Sequence, residues 1–167
     1  ACVMNGMALH GGIIPACGTF FVFSDYMKPA VRLSALMHQH VVYIWTHDSF
    51  RVGEDGPTHE PVEHEIQIRL MEHVRNHAGE RSMLVLRPAD SEETVAAWKM
   101  AMEETRPVAL ILSRQNIKSL PALNGESRRV EAMKAERGGY VVLENKEAKV
   151  TLIATGSEVS TLVEGAE

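Results

Sequence analysis

The stretch THDSFRVGEDGPTHEP (46–61) gathers His47, Asp48, Glu54, Asp55 and His59 within thirteen residues, broken by two glycines and a proline. Imidazoles in such a loop can donate, accept or shuttle protons near neutral pH. A carboxylate such as Asp55 can hold a substrate hydroxyl, and glycines let the backbone turn tightly and approach a ligand. Composition alone leaves a second reading open, a solvated polar loop. Phe20, Phe23 and Tyr26, spaced by three, offer rings that either stack on a flat heterocycle or simply pack a core. SRQN (113–116) sets Arg114 just past an apolar run, where a guanidinium can hold a phosphate bidentately or join an ion pair. A metal centre has little support: His73 and His77 stand at i, i+4, but HVRNH lacks the Glu of the zinc helix motif.

These groups need elements to hold them. The run VVYIWT (41–46) is β-branched and aromatic and reads as a buried strand emptying into the polar loop. MLVLRP (83–88) and VALILSR (108–114) read as further strands, and YVVLE (140–144) and VTLIAT (150–155) as two more around a turn at 145–148. Helices are expected over 2–10, stopped by Gly11 and Gly12, and over 26–38, with apolar Ala30, Leu33, Leu36 and Met37 at helical spacing. Pro61 opens a helix over 62–77, and Asp90 or Ser91 caps one over 92–104. A polar connection with some helix spans 115–137, and a helix starts after Gly156 and Ser157. Apolar strands alternating with helices predict an α/β fold, a parallel sheet with helices on both faces. In that fold ligands bind beyond the carboxyl ends of the strands, where His47, Arg114 and the GEDGPTH loop all fall.

The bulk numbers bound the function. The 167 residues suit one ordinary domain. A net charge of −5 argues against a nucleic-acid partner. No apolar run reaches the ~18 residues of a membrane span, and no signal peptide is visible. Cys2 and Cys17 form no CxxC pair and fit a reducing, cytoplasmic setting. An uncapped helical start at Ala1 and a stop within a nascent helix lead to the expectation that residues are missing on both sides.

Read together, GTFFVFSDY, THDS, GEDGPTHEPVEH, LRPAD, ALILSRQN and TLIATGSEV stand in the order and spacing of the transketolases, and the chain resembles that family over essentially its whole length. The resemblance implies the pyrimidine-binding type of thiamine-diphosphate-binding fold. Residues 1–145 would form the middle, pyrimidine-binding domain, truncated at its start, and 146–167 the opening of the C-terminal domain. The implied reaction moves a two-carbon ketol unit from a ketose phosphate to an aldose phosphate, in the pentose phosphate pathway. The implied cofactor is thiamine diphosphate with Mg²⁺ or Ca²⁺, whose ligands lie in a preceding domain, and the implied assembly is a homodimer. By position, Phe20, Phe23 and Tyr26 match the aromatic enclosure of the pyrimidine ring. His47 and Arg114 match contacts to the sugar phosphate, Asp55 a reader of the hydroxyl beside the carbonyl, and His59 an active-site histidine near the reacting oxygens. The glutamate that contacts the pyrimidine would precede Ala1. EDG at 54–56 lacks the first Gly of the GDG diphosphate–metal motif and is set aside. Two departures stand out: a longer stretch between PVEH and LRPAD, read as an extra helical turn or two, and Arg51 in SFRV, which adds a positive charge near the entrance. The chain alone is expected to be inactive. A non-catalytic binding module on the same fold and a dihydroxyacetone synthase are the alternatives.

Overall fold

A computed structural model describes residues 1–48, 50–123 and 125–166. Ser49, part of the THDS motif, lies outside the described residues. In chain order the elements are α1 (Cys2–His10), β1 (Ala16–Phe20), α2 (Ser24–Leu36), β2 (Val42–Thr46), α3 (His64–His73), β3 (Leu84–Leu86), α4 (Ser91–Glu103), β4 (Val108–Ile111), α5 (Arg128–Ala132) and α6 (Glu158–Ala166). The four strands form one parallel sheet in the order β1-β2-β4-β3. This is the α/β architecture that the alternating apolar runs predict.

The period of two along the strands sorts side chains onto two faces. Tyr43, Trp45, Ala109 and Ile111 point to one layer and pack with Phe21, Val31, Ile68 and Met83 from the α2 and α3 side. Val42, Val108 and Leu110 point to the other and pack on Ala97 and Ala101 of α4. Trp45 and Tyr43 are fully buried and stack 5.7 Å apart between ring centroids. The Tyr43 hydroxyl, which a dry core would otherwise leave unpaired, donates to Asn5 Oδ1 at 3.0 Å and lies 2.9 Å from Ser34 Oγ. Asn5 in turn donates to Ala30 O at 2.8 Å, so α1 is tied to α2 through this network. Burial pushes the Tyr43 phenol up to about 12, so it stays a neutral donor.

Asp90 caps α4 by accepting from Glu93 N at 2.9 Å, while Glu93 accepts from Ala89 N at 2.8 Å, a reciprocal box. Arg128 Nε bonds the same Asp90 at 2.7 Å, pinning the connection after β4 onto α4. Burial alone would raise the Asp90 carboxyl. The Arg128 contact and the Glu93 and Leu120 N–H bonds outweigh it and hold the carboxyl below its ordinary range.

Three expectations change. Residues 140–144 and 150–155 form no strand: a strand needs a hydrogen-bonded neighbour, and among the described residues none pairs with them. Val141, Val150 and Ile153 are accordingly exposed. The helix expected over 62–77 covers only His64–His73, because Val74 turns extended (φ −63, ψ 137). The extra length before LRPAD is therefore not helical at its end. Asn76 Oδ1 accepts from Ala78 N and Glu80 N there, folding a tight turn closed by a bridge between Arg75 and Arg81. The helix expected over 26–38 starts and ends two residues earlier, at Ser24 and Leu36.

Candidate functional site

Every strand of the sheet delivers a ring or a charge at its carboxyl end. Phe20 is the last residue of β1 and His47 the first after β2. Arg87 follows β3, and Arg114 lies three residues past β4. Parallel pairing forces this alignment, since Phe20 is in register with Thr46 and Trp45 with Ile111. Side chains far apart in sequence thus emerge along one edge.

The aromatic trio and the polar loop meet there. Phe20 stacks on the His47 ring at 3.7 Å between centroids, and Phe23 lies 6.2 Å from Phe20 and 6.3 Å from Tyr26. His59 sits edge-on to Phe23 at 5.3 Å. Phe20 and Phe23 are half-buried, whereas Tyr26 is 85% exposed at the rim. The aromatic trio is not a core cluster: Phe21, between them in sequence, is the ring that enters the core, at 5.5 Å from Trp45. The chain separates them by ending β1 at Phe20 and turning through one 3-10 turn, Phe21–Phe23, into α2.

The loop from 50 to 63 closes over this edge through two short 3-10 turns, Gly53–Asp55 and Pro57–His59. Gly56 joins them at φ 76, ψ −178, a conformation essentially confined to glycine. The loop aims Asp55 at both Arg114 and His47. Asp55 Oδ2 is 3.0 Å from Arg114 Nε and 3.9 Å from His47 Nε2. Among the described residues no aligned hydrogen bond reaches this buried oxygen, and the Arg114 contact is a charge contact. Arg114 Nη2 also bonds Glu54 Oε1 at 3.0 Å, but Glu54 is 86% exposed. His59 Nδ1 pairs with Thr58 Oγ1 at 2.9 Å, and among the described residues no hydrogen bond reaches its Nε2. His47 Nδ1 pairs with Thr46 Oγ1 at 3.0 Å. His47 holds φ 60, a left-handed backbone that costs a non-glycine residue about 1–3 kcal/mol and persists only where its surroundings enforce it.

All seven residues singled out in the sequence (Phe20, Phe23, Tyr26, His47, Asp55, His59 and Arg114) therefore form one connected cluster, with rings on one side and a carboxylate between a guanidinium and an imidazole on the other. A half-open aromatic shelf is the right chemistry for one face of a flat heterocycle, and it fits an aminopyrimidine. Among the described residues, no group of three or more His, Cys, Asp or Glu comes together as a metal site. Arg51, expected to charge the entrance, lines instead a polar cavity of about 100 Å³ with Gln115, Lys118, Ser157, Ser160 and Glu164. A shallow groove of about 460 Å³ is lined by Val62 and by Ile66 and Leu70 of α3, and by none of the seven residues. The residue that motif reading passed over is Arg87. Its signal was present, an arginine ending an apolar run as Arg114 does.

Comparison with known proteins identifies the family and the fold. The family model for the transketolase pyrimidine binding domain matches residues 1–119. The transketolase of Geobacillus stearothermophilus is 47% identical over 98% of this chain, and that of Bacillus subtilis 49% identical over 96%. The chain spans 23% of the length of each of these relatives. Among solved structures, transketolase from Campylobacter jejuni superposes with a TM-score of 0.81 at 42% identity, covering 98% of this chain and 23% of that one. A Pichia stipitis transketolase in complex with sedoheptulose-7-phosphate superposes at 0.79 with 43% identity, covering 97% and 22%. A split-gene transketolase, described as an inactive β4 tetramer, matches 72% of this chain and 35% of its own at a TM-score of 0.55 and 28% identity.

Proposed function

This chain belongs to the transketolase family, through its pyrimidine-binding domain, and from that premise we propose that it forms one wall of a ketol-transfer site. The observation that supports this most is the joining of the aromatic shelf to the Asp55–His47–Arg114 group at one sheet edge. Thiamine diphosphate, when bound, supplies the carbon nucleophile that lets a two-carbon unit leave a ketose phosphate and join an aldose phosphate, a step of the pentose phosphate pathway. Phe20, Phe23 and Tyr26 hold its pyrimidine ring and keep water from the reacting centre. Arg114 and His47 bind the sugar phosphate, and binding at that remote end positions the carbonyl. Asp55 accepts the hydroxyl next to that carbonyl. His59 holds or moves a proton at the reacting oxygens through Nε2.

The shelf has one face only, with Tyr26 at an open rim. The opposite face and the ligands for Mg²⁺ or Ca²⁺ come, in this reading, from another domain of a homodimer. Residues 1–145 serve as the pyrimidine-binding domain and 146–167 as the start of the next. The chain alone is then inactive, a reading supported by the split-gene relative described as an inactive β4 tetramer. Among the described residues no helix is long and apolar enough to cross a membrane, and we assign the protein to the cytoplasm.

The test is Arg114→Ala in the complete protein. The KM for a phosphorylated acceptor should rise about ten- to a hundred-fold, the worth of a charged hydrogen-bond pair, while the KM for glycolaldehyde stays put. Equal changes for both acceptors would remove Arg114 from the phosphate end.

A further inference from the structure

The arginine at the end of β3 takes no part in the ring-and-charge cluster, yet it touches everything that frames it. The Arg87 side chain is 6% exposed. It meets carboxylates from three separate stretches: Nη2 lies 2.6 Å from Asp48 Oδ2 and 2.8 Å from Glu158, and Nε lies 3.2 Å from Asp48 and 3.8 Å from Glu65 Oε2. Nη1 donates to both the carbonyl and the hydroxyl of Thr155, at 3.1 and 3.0 Å. Gly156 backs the guanidinium at φ 61, so close that an added Cβ would stand 2.8 Å from Cζ. Its N–H bonds Arg87 O at 3.1 Å.

The three carboxylates occupy telling places. Asp48 directly follows His47, whose left-handed backbone needs enforcing. Glu65 lies in the first turn of α3, just beyond the loop that carries Asp55 and His59. Glu158 begins α6. One planar fork therefore meets both ends of the polar loop and residues 155–158. A lysine could not do this, because a single ammonium cannot present a fork to Asp48 while reaching Thr155. Burial alone would lower the Arg87 pKa, but the bonds to Glu158 and Asp48 outweigh it and keep the group charged.

We propose that Arg87 is a positioning residue of the site, stapling the loop at Asp48 and Glu65 and making the placement of His47, Asp55 and His59 depend on residues 155–158. This rests on the ketol-transfer reading above. It gives residues 155–158 a direct hold on substrate binding, with no residue of that segment touching substrate.

Glu158→Gln in the complete protein is the informative variant. Its carboxylate is 32% exposed, so the change removes a charge from the cluster without emptying a core. The KM for a phosphorylated acceptor should rise on the order of ten-fold, as misplacement of binding groups does, and by more than the KM for glycolaldehyde, while kcat falls as well because the same loop carries His59. The dissociation constant for inorganic phosphate, read by calorimetry, should rise in parallel. Thr155→Val should do the same more weakly, and Arg87→Lys should not preserve the wild-type values. Variants that melt lower but keep both the KM and the phosphate constant would reduce Arg87 to a structural role and overturn the proposal. Should Arg114→Ala spare phosphorylated acceptors, the substrate reading falls on its own. The staple is then judged by the crystal structure of Glu158→Gln: a His47 displaced from its left-handed backbone supports it, and an unchanged loop overturns it.

Discussion

Arg87 and Arg114 leave adjacent strands at the same edge of the sheet, and each faces acids from the same loop region, yet their surroundings are opposite. Arg87 is 6% exposed, and around it stand three carboxylates and a threonine. Arg114 is 34% exposed and faces Asp55 and an almost fully exposed Glu54. A desolvated cation with committed partners cannot release them to greet a ligand, since breaking a buried pair leaves uncompensated charge. A cation with one solvated partner can exchange it cheaply, because exposed pairs are worth little. Similar chemistry on neighbouring strands thus separates into a committed ion-pair cluster and an exchangeable one by burial alone.

Substitution of the two arginines breaks the comparison most directly. Arg87→Met should destabilise the fold by about 3–5 kcal/mol, because Asp48 and its neighbouring acids lose their counter-charge. Arg114→Met should cost less than about 0.5 kcal/mol. Urea unfolding midpoints of the two variants check this, and equal losses would erase the distinction.

Arg106 is an intermediate case that acid can probe. Its side chain is 22% exposed and pairs with Glu104, itself 15% exposed. Burial opposes ionisation of Glu104, but hydrogen bonds from Arg106 and from the Thr105 and Arg106 N–H groups draw its pKa down to about 2. A depressed folded pKa means stability that is present above the unfolded value and lost as pH falls through the folded one. The midpoint of urea unfolding should therefore fall between about pH 4.5 and 2, with Asp90, also depressed, adding to the loss. Glu104→Gln should flatten that slope, and an unchanged slope would remove Glu104 from the account.

The smallest effect belongs to Glu54. In the structure its carboxylate pairs with Arg114 Nη2, the group that the proposed function gives to the sugar phosphate. Glu54→Gln should lower the KM for phosphorylated acceptors about two- to five-fold, the value of one exposed pair, and leave stability unchanged. A rise in KM would mean that Glu54 helps to present Arg114 rather than compete for it.

Much of this molecule is legible in local sequence. The buried strands at 42–46, 84–86 and 108–111 announce themselves as apolar runs. Asp90 caps its helix as its residue type and position require. The seven candidate residues follow from motif order, and they converge because parallel strands in register must release their ends along one edge. The runs at 140–144 and 150–155 show the limit of such reading, since an apolar β-branched run is a strand only where a partner strand lies beside it. The aromatic run shows another: sequence alone could not say that Phe21 goes to the core while Phe20 and Phe23 line the site, because that depends on where β1 stops.

What the sequence determined by itself was short-range: which segments are apolar, that Asp90 caps α4, and that His47 and Arg114 sit at the mouths of strands. What only the tertiary structure decided was the fate of charge. Arg87 finds Asp48 from 39 residues away and Glu158 from 71, and no local pattern marks that meeting. Ion pairs in a folded chain are chosen by burial, and burial exists only after distant segments have closed over one another.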